Sequence, residues 1–226
     1  MQAFQHQGRT LRYITVHPNG YDPDRVYPMV ILLHGFGASM ADLAGLTPGI
    51  DSEGYVYAFP NGPLSVPLAP DVHGYSWIPP RDAASSEEIE HSEGLLADFF
   101  DEVMAQYKVS PKNVVLGGFS QGGGMTYRCG LGNPDIFSGL VVLSGSLPNV
   151  DDLRKRLPEQ RTQPIFVAHG TEDTVVPIEK AIQATEFLKV ERYQPEFRQY
   201  VMGHEISQQV LDDLVVWLQS TLPPLR

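Results

Sequence analysis

Cysteine is almost missing: the 226 residues contain one, Cys129. A disulfide framework is therefore excluded, and a reducing compartment, the cytoplasm, is expected. Clustered metal ligands are missing as well. The seven histidines are scattered, and His204-Glu205 runs on into Ile206-Ser207-Gln208, so it does not complete the H-E-x-x-H of a zinc-binding helix. Neither G-x-x-x-x-G-K-[ST] nor a G-x-G-x-x-G after a first strand occurs, which argues against bound nucleotides. A protein without metal or cofactor is expected. Basic residues are scarce, 16 against 27 acidic ones, for a net charge of −11. Nucleic acid and anionic membrane surfaces need clustered Lys and Arg and are poor partners here, and there is little need for anionic substrates. No apolar run approaches the ~20 residues of a membrane span, and the opening Met1-Gln2-Ala3-Phe4-Gln5-His6-Gln7 has no run of signal-peptide length. No repeat or low-complexity tract is present. A 42% hydrophobic chain of this length is expected to form one α/β domain over residues 1–226 with a sizeable core.

What is present is a series of short apolar runs separated by helical patterns. Met29–Leu33, Tyr55–Phe59, Val114–Leu116, Leu140–Leu143 and Pro164–Ala168 are continuous apolar stretches, the mark of strands buried on both faces. Leu11–Val16 alternates and reads as an edge strand, and Phe197–Val201 as the last strand. Helices are expected over Met40–Leu46, capped by Ser39, and over 87–107, 178–190 and 206–218. In the second, Leu96, Phe99, Phe100, Val103 and Met104 recur at helical spacing; Glu88, Glu90, Glu93, Asp98, Asp101 and Glu102 read as its solvated face. Residues 60–86, with prolines at 60, 63, 67, 70, 79 and 80, read as a long loop. Buried strands alternating with helices imply a mostly parallel sheet covered on both sides, in which ligands bind beyond the carboxyl ends of the strands. His34, Ser120, Asp173 and His204 all fall at such ends.

One stretch organises the rest. Val114-Val-Leu-Gly-Gly-Phe-Ser-Gln-Gly-Gly-Gly-Met125 passes from a buried strand through Gly118-Phe119-Ser120-Gln121-Gly122 into a helix-compatible run. That fits G-x-S-x-G in the strand–turn–helix setting of a nucleophile elbow. Three fixed residues at about 7% usage each arise by chance in roughly one chain of this length in ten, so the setting carries more weight than the motif. The plainer alternative is a glycine-rich βα turn that only packs tightly.

A serine hydroxyl needs a base, and the base needs a third group to hold its tautomer. An elbow of this kind carries its partners downstream in the order serine, acid, histidine. Of the histidines beyond Ser120, only His204 has a strand-end acid ahead of it; His169 precedes Asp173 and reads as a structural residue of its own loop. His34 reads as shaping its turn. The acid is Asp173 or Glu172, with Asp173 favoured because a short side chain in the turn before Thr174-Val175-Val176-Pro177 suits a fixed hydrogen bond. An oxyanion would be met by the backbone N–H of Gln121, after the nucleophile, and by one from His34-Gly35-Phe36-Gly37, with Phe36 favoured.

Taken together, Leu33-His34-Gly35-Phe36-Gly37, Phe59-Pro60-Asn61-Gly62-Pro63, Gly118-Phe119-Ser120-Gln121-Gly122-Gly123, Leu143-Ser144-Gly145, the block from His169 to Pro177 and Gly203-His204-Glu205-Ile206 resemble the phospholipase/carboxylesterase family of α/β-hydrolases, which includes small bacterial carboxylesterases and acyl-protein thioesterases. The resemblance runs from about residue 28 to the C-terminus. It implies an α/β-hydrolase fold, a Ser120–His204–Asp173 triad, oxyanion donors at Phe36 and Gln121, and a small-molecule ester as substrate. Two departures stand out: Ala38 where the family often has aspartate, and Ser146 where many members have a bulky aromatic. The second implies a wider or more polar acyl site.

Trp77, Leu147, Val175 and Val176 are candidates for the substrate wall, each with a plain packing role as the alternative. The leading reading is a serine esterase for short to medium acyl chains, with acyl thioesterase or lysophospholipase as alternatives on the same site. A protease or acyltransferase on the same fold is a further one, and a catalytically silent binding protein is the reading from another class. The apolar stretch 218–225 is a candidate contact for a homodimer.

Overall fold

The computed structural model describes residues 1–80 and 84–226. Ten strands are formed: β1 (Gln2–Gln7), β2 (Arg12–His17), β3 (Met29–Leu33), β4 (Val56–Pro60), β5 (Leu64–Ala69), β6 (Val72–Ser76), β7 (Val114–Phe119), β8 (Gly139–Leu143), β9 (Ile165–Gly170) and β10 (Glu196–Tyr200). The helices are α1 (Thr47–Ile50), α2 (Ser86–Gln106), α3 (Gln121–Gly130), α4 (Val150–Arg154), α5 (Ile178–Val190) and α6 (Gln208–Thr221). Eight strands make one sheet in the order β1-β2-β4-β3-β7-β8-β9-β10. β3, β4 and β7–β10 run parallel, while β1 and β2 pair antiparallel at one edge. The second sheet is the hairpin β5–β6.

The continuous apolar runs divide by alternation. Met29, Ile31 and Leu33 of β3 join Val114 and Leu116 of β7 in a core with Phe99, Val103 and Tyr127. Val30, Leu32 and Val115 point the other way, into a core with Leu211, Leu214 and Trp217 of α6. Each strand thus buries both faces, which is why period-2 patterning is hidden in its sequence. Among the described residues, no helix is long and apolar enough to cross a membrane.

Several expectations are corrected. Leu11–Val16 corresponds to β2, which is not the edge, because β1 pairs outside it. β1 is almost wholly exposed and was silent as a pattern; its ladder and the stacking of His6 on Tyr13 (4.6 Å, 15°) hold it. No helix spans 40–46. Asn61 Oδ1 accepts the Met40 N–H at 2.6 Å, Ser39 Oγ accepts only from Ala41, and the chain tightens into a 3-10 turn, Ala44–Leu46, before α1. The expected loop 60–86 contains β5–β6, with Asp71 at φ 60° in its turn; Pro67 is tolerated because the hairpin has only one ladder to satisfy. On α2, Glu93 and Glu102 are not solvated: Glu93 pairs with Arg128 and Arg156, and Glu102 accepts from the Arg9 backbone at 2.9 Å. In the stretch 218–225, Leu218 and Leu222 are buried in the chain's own core and the Leu225 N–H donates to the Gly54 carbonyl.

Candidate active site

β7 ends at Phe119 and α3 begins at Gln121, so Ser120 makes the turn alone. Its backbone lies at φ 55°, ψ −116°, a conformation that costs a non-glycine residue on the order of 1–3 kcal/mol. The surroundings impose it. Ser120 N–H donates to Leu143 O on the neighbouring strand at 2.9 Å, and Ser120 O accepts from Gly124 N–H at 3.2 Å. A Cβ at Gly118 would collide with the Gly122 carbonyl, and a Cβ at Gly122 with the Leu33 carbonyl. The two glycines of G-x-S-x-G are therefore demanded by close backbone approach, and the serine hydroxyl is carried beyond the sheet end.

His204 follows β10 and stands over that hydroxyl. Its ring packs against Phe119 (4.7 Å between centroids). Nε2 lies 2.9 Å from Ser120 Oγ, and Nδ1 lies 2.7 Å from Asp173 Oδ2. A carboxylate only accepts, so Nδ1 carries the proton and Nε2 presents its lone pair to the serine. Asp173 is buried at the end of the β9 loop; its other oxygen accepts the N–H groups of Val175 and Val176 at 2.9 and 2.8 Å. Burial works against its ionisation, but the hydrogen bonds from His204, Val176 and Val175 outweigh that and hold its pKa below the ordinary aspartate value. Glu172, the alternative acid, is exposed. The structure thus brings Ser120, His204 and Asp173 into one hydrogen-bonded chain, an arrangement that can take a proton from a hydroxyl and stabilise the resulting imidazolium.

The N–H groups of Phe36 and Gln121 donate to no backbone acceptor among the described residues. Gln121 opens α3, where helix N–H groups lack partners and carry partial positive charge. Both residues line the cleft that holds Ser120. His34 is buried, with Nδ1 2.7 Å from Gly35 O and Nε2 accepting the Gly62 N–H at 2.9 Å. Burial lowers its pKa against smaller opposing effects of Gly35 and Asp42, so a neutral ring braces this turn. His169 Nε2 donates to Val176 O at 2.7 Å within its own loop. Cys129 is buried, and burial pushes its thiol up to about 12, which makes it no rival nucleophile.

The cleft has a volume of about 980 Å³. Phe36, Leu147, Val175 and Val176 line it; Ser146, the small residue of Leu143-Ser-Gly-Ser, also reaches it. Trp77 does not. It is fully buried, its Nε1 donates to His34 O at 2.8 Å, and its ring lies against the His34 imidazole. An indole with a buried acceptor for its N–H gains more under the turn than in the cleft, and the wall position falls to Ile78 and Pro80.

Sequence reasoning missed two features. The Gln121 side chain locks the 76–78 segment to the elbow: Oε1 accepts from Trp77 N–H at 2.8 Å and Ser76 Oγ at 3.1 Å, and Nε2 donates to Ile78 O at 3.0 Å. No local signal reveals this. The other is Arg128, which lines the cleft beyond Met125. The spacing Gln121, Gly124, Met125, Arg128 along α3 is helical, and placing it on the wheel would have found that residue. Among the described residues, no group of three or more His, Cys, Asp or Glu is placed to hold a metal.

Comparison with known proteins bears on the chain as a whole. A family model described as Phospholipase/Carboxylesterase matches residues 21–222. The chain is similar to acyl-protein thioesterase 1 of Kluyveromyces lactis, 27% identical over 218 residues that cover 86% of this chain and 92% of the relative. It is similar to carboxylesterase SOBER1 of Arabidopsis thaliana, 36% identical over 115 residues, half of each chain. Among solved structures, esterase PE8 superposes with a TM-score of 0.79 at 25% identity, over 94% of this chain and 100% of that one.

Proposed function

The chain belongs to the phospholipase/carboxylesterase family of α/β-hydrolases, and we propose from that premise that residues 1–226 form one catalytic domain, a carboxylesterase for short to medium acyl chains. Ser120 is the nucleophile. As Oγ attacks the ester carbonyl, its proton passes to His204 Nε2, and Asp173 stabilises the imidazolium through Nδ1–H. The carbonyl oxygen, now negative, is met by the N–H groups of Phe36 and Gln121. Collapse expels the alcohol, which takes the proton from His204, and leaves an acyl group on Ser120. Water repeats the sequence in reverse: His204 removes its proton as the oxygen attacks the acyl carbonyl, and that proton passes to Ser120 Oγ as the acyl bond breaks and the acid leaves.

The observation that carries this reading is the chain of 2.9 and 2.7 Å contacts from Ser120 through His204 to Asp173, built on a serine held at positive φ. A thioester is a second reading, favoured by the similarity to a protein named acyl-protein thioesterase 1; the same steps apply with a thiol as leaving group. The one cysteine is buried and free, which supports a reducing compartment such as the cytoplasm.

The test is hydrolysis of 4-nitrophenyl esters from acetate to palmitate, with an acyl thioester beside them, by wild type and Ser120→Ala. Wild-type turnover on the shorter esters, with a loss on the order of 10³-fold or more in the variant, is expected. No turnover of any ester or thioester by the folded wild type would overturn the reading.

A further inference from the structure

The cleft has a charged end that ester hydrolysis does not require. Arg128 lines it, yet its side chain is only 7% exposed. Its Nε is held by Glu93 Oε1, while Glu93 Oε2 pairs with Arg156 Nη1. Two guanidinium groups thus share one carboxylate. Among the described residues the Arg128 guanidinium meets Glu93 through Nε alone, and Nη1 and Nη2 have no hydrogen-bond partner there. The other charged groups on this part of the lining are Lys155, paired with Asp152 at 3.1 Å, and Glu90, which is exposed. A buried guanidinium fixed along one edge, with its other edge open to a cavity, presents two parallel donors of the spacing a carboxylate accepts.

We infer that Arg128 is a specificity-determining residue that binds a carboxylate at the end of the substrate remote from the scissile ester, so that the preferred substrates are half-esters of dicarboxylic acids or esters with a carboxylate of similar reach. This rests on the ester-hydrolase reading of the same cleft. Ser120 caps α3 and Arg128 lies on the same helix, about 12 Å of axial rise further on. Helical side chains lean back toward the N-terminus, which brings the guanidinium closer to the nucleophile and sets the reach to that of a short dicarboxylate. The net charge of −11 disfavours anions in general, and Arg128, Arg156 and Lys155 only balance Glu93, Asp152 and Glu90 at this end of the cleft, so selection of a carboxylate rests on the open donors of Arg128 rather than on a net field. Ser146, Asn149 and Ser86 in the lining make this end polar, unsuited to a long alkyl chain.

Two measurements separate this inference from the esterase reading. Calorimetric titration of Ser120→Ala with butanedioate, hexanedioate and octanedioate, each against its uncharged dimethyl ester, reads the subsite without turnover. At least one diacid is expected to bind about tenfold or more tighter than its partner, and Arg128→Gln in the same background should abolish that difference. Arg128→Lys, which keeps a charge beside Glu93, should retain part of it and serves if the Gln variant does not fold. In parallel, 4-nitrophenyl half-esters compared with neutral esters of equal length should show a similar ratio in kcat/KM, mostly in KM. Equal binding of diacid and dimethyl ester at all three lengths overturns the inference, as does a diacid preference that survives in Arg128→Gln. Absence of turnover with a diacid preference intact would sink the esterase reading alone.

Discussion

The carboxyl edge of the sheet and the excursion from Asn61 to Pro80 border the same cleft and are held by different means. At the edge, position is set by the main chain: Ser120 is fixed by hydrogen bonds to Leu143 and Gly124, and Asp173 by two N–H groups of its own loop. In the excursion, position is set by partners far away in sequence: Trp77 under His34 and Ser76 and Trp77 on the Gln121 amide. A region fixed by its own backbone tolerates few residue types. One fixed by distant side chains accepts many and depends on each contact separately.

The largest expected contrast comes from Asp173→Asn. An amide in this position no longer enforces the Nδ1–H tautomer, and activity on a 4-nitrophenyl ester should fall on the order of 10³–10⁴-fold while the far-UV circular dichroism stays that of the wild type. The same variant probes stability. The Asp173 carboxyl has a folded pKa below its unfolded one, so its ionised form stabilises the fold at neutral pH and that contribution is lost as pH falls from the ordinary aspartate range through the folded value. Urea unfolding from pH 6 to 3 should be less steep in pH for the variant; an equal slope would remove this cause.

Gln121→Ala tests the other region. It deletes three hydrogen bonds to residues 76–78 but leaves the backbone donor of residue 121. A loss of about 1–2 kcal/mol in stability is expected, with activity lowered about ten- to a hundredfold because the cleft wall at Ile78 is no longer held. Unchanged KM and kcat would mean that the excursion does not depend on this amide. The smallest effect on activity belongs to Trp77→Phe, which leaves a cavity at a fully buried site and loses the bond to His34 O. About 2–4 kcal/mol of stability should be lost with KM for short esters unchanged, since Trp77 does not line the cleft; a marked rise in KM would return it to the substrate wall.

The same contrast governs what could be read from the chain. Ser120, Asp173 and His204 were legible because their turns demand glycine, aspartate or a strand-end position, and because a doubly buried strand reads as an unbroken apolar run. α5 was placed over the residues it occupies, 178–190, since its apolar spacing and the preceding Pro177 agree. The helix expected over 40–46 failed because Asn61, distant in sequence, takes the Met40 N–H. β5 and β6 were hidden by prolines that a lone hairpin tolerates, and Glu93 looked solvated because its two arginines lie on elements far along the chain.

The hairpin is joined to the turn before it by more than side chains. Gly37 N–H donates to Tyr75 O at 2.8 Å, Tyr75 N–H to Ala38 O at 2.7 Å, and Gly74 lies so close to Gly37 that a Cβ there would meet its carbonyl. The Phe36 amide is therefore positioned partly by a strand some forty residues downstream. For protein engineering this makes residues 34–38 and 72–78 one transplantable unit. A loop exchange with a relative that carries over the hairpin alone would import a new wall and misalign the donor beside it, whereas moving both segments together would change the shape of the cleft and keep the amide in register.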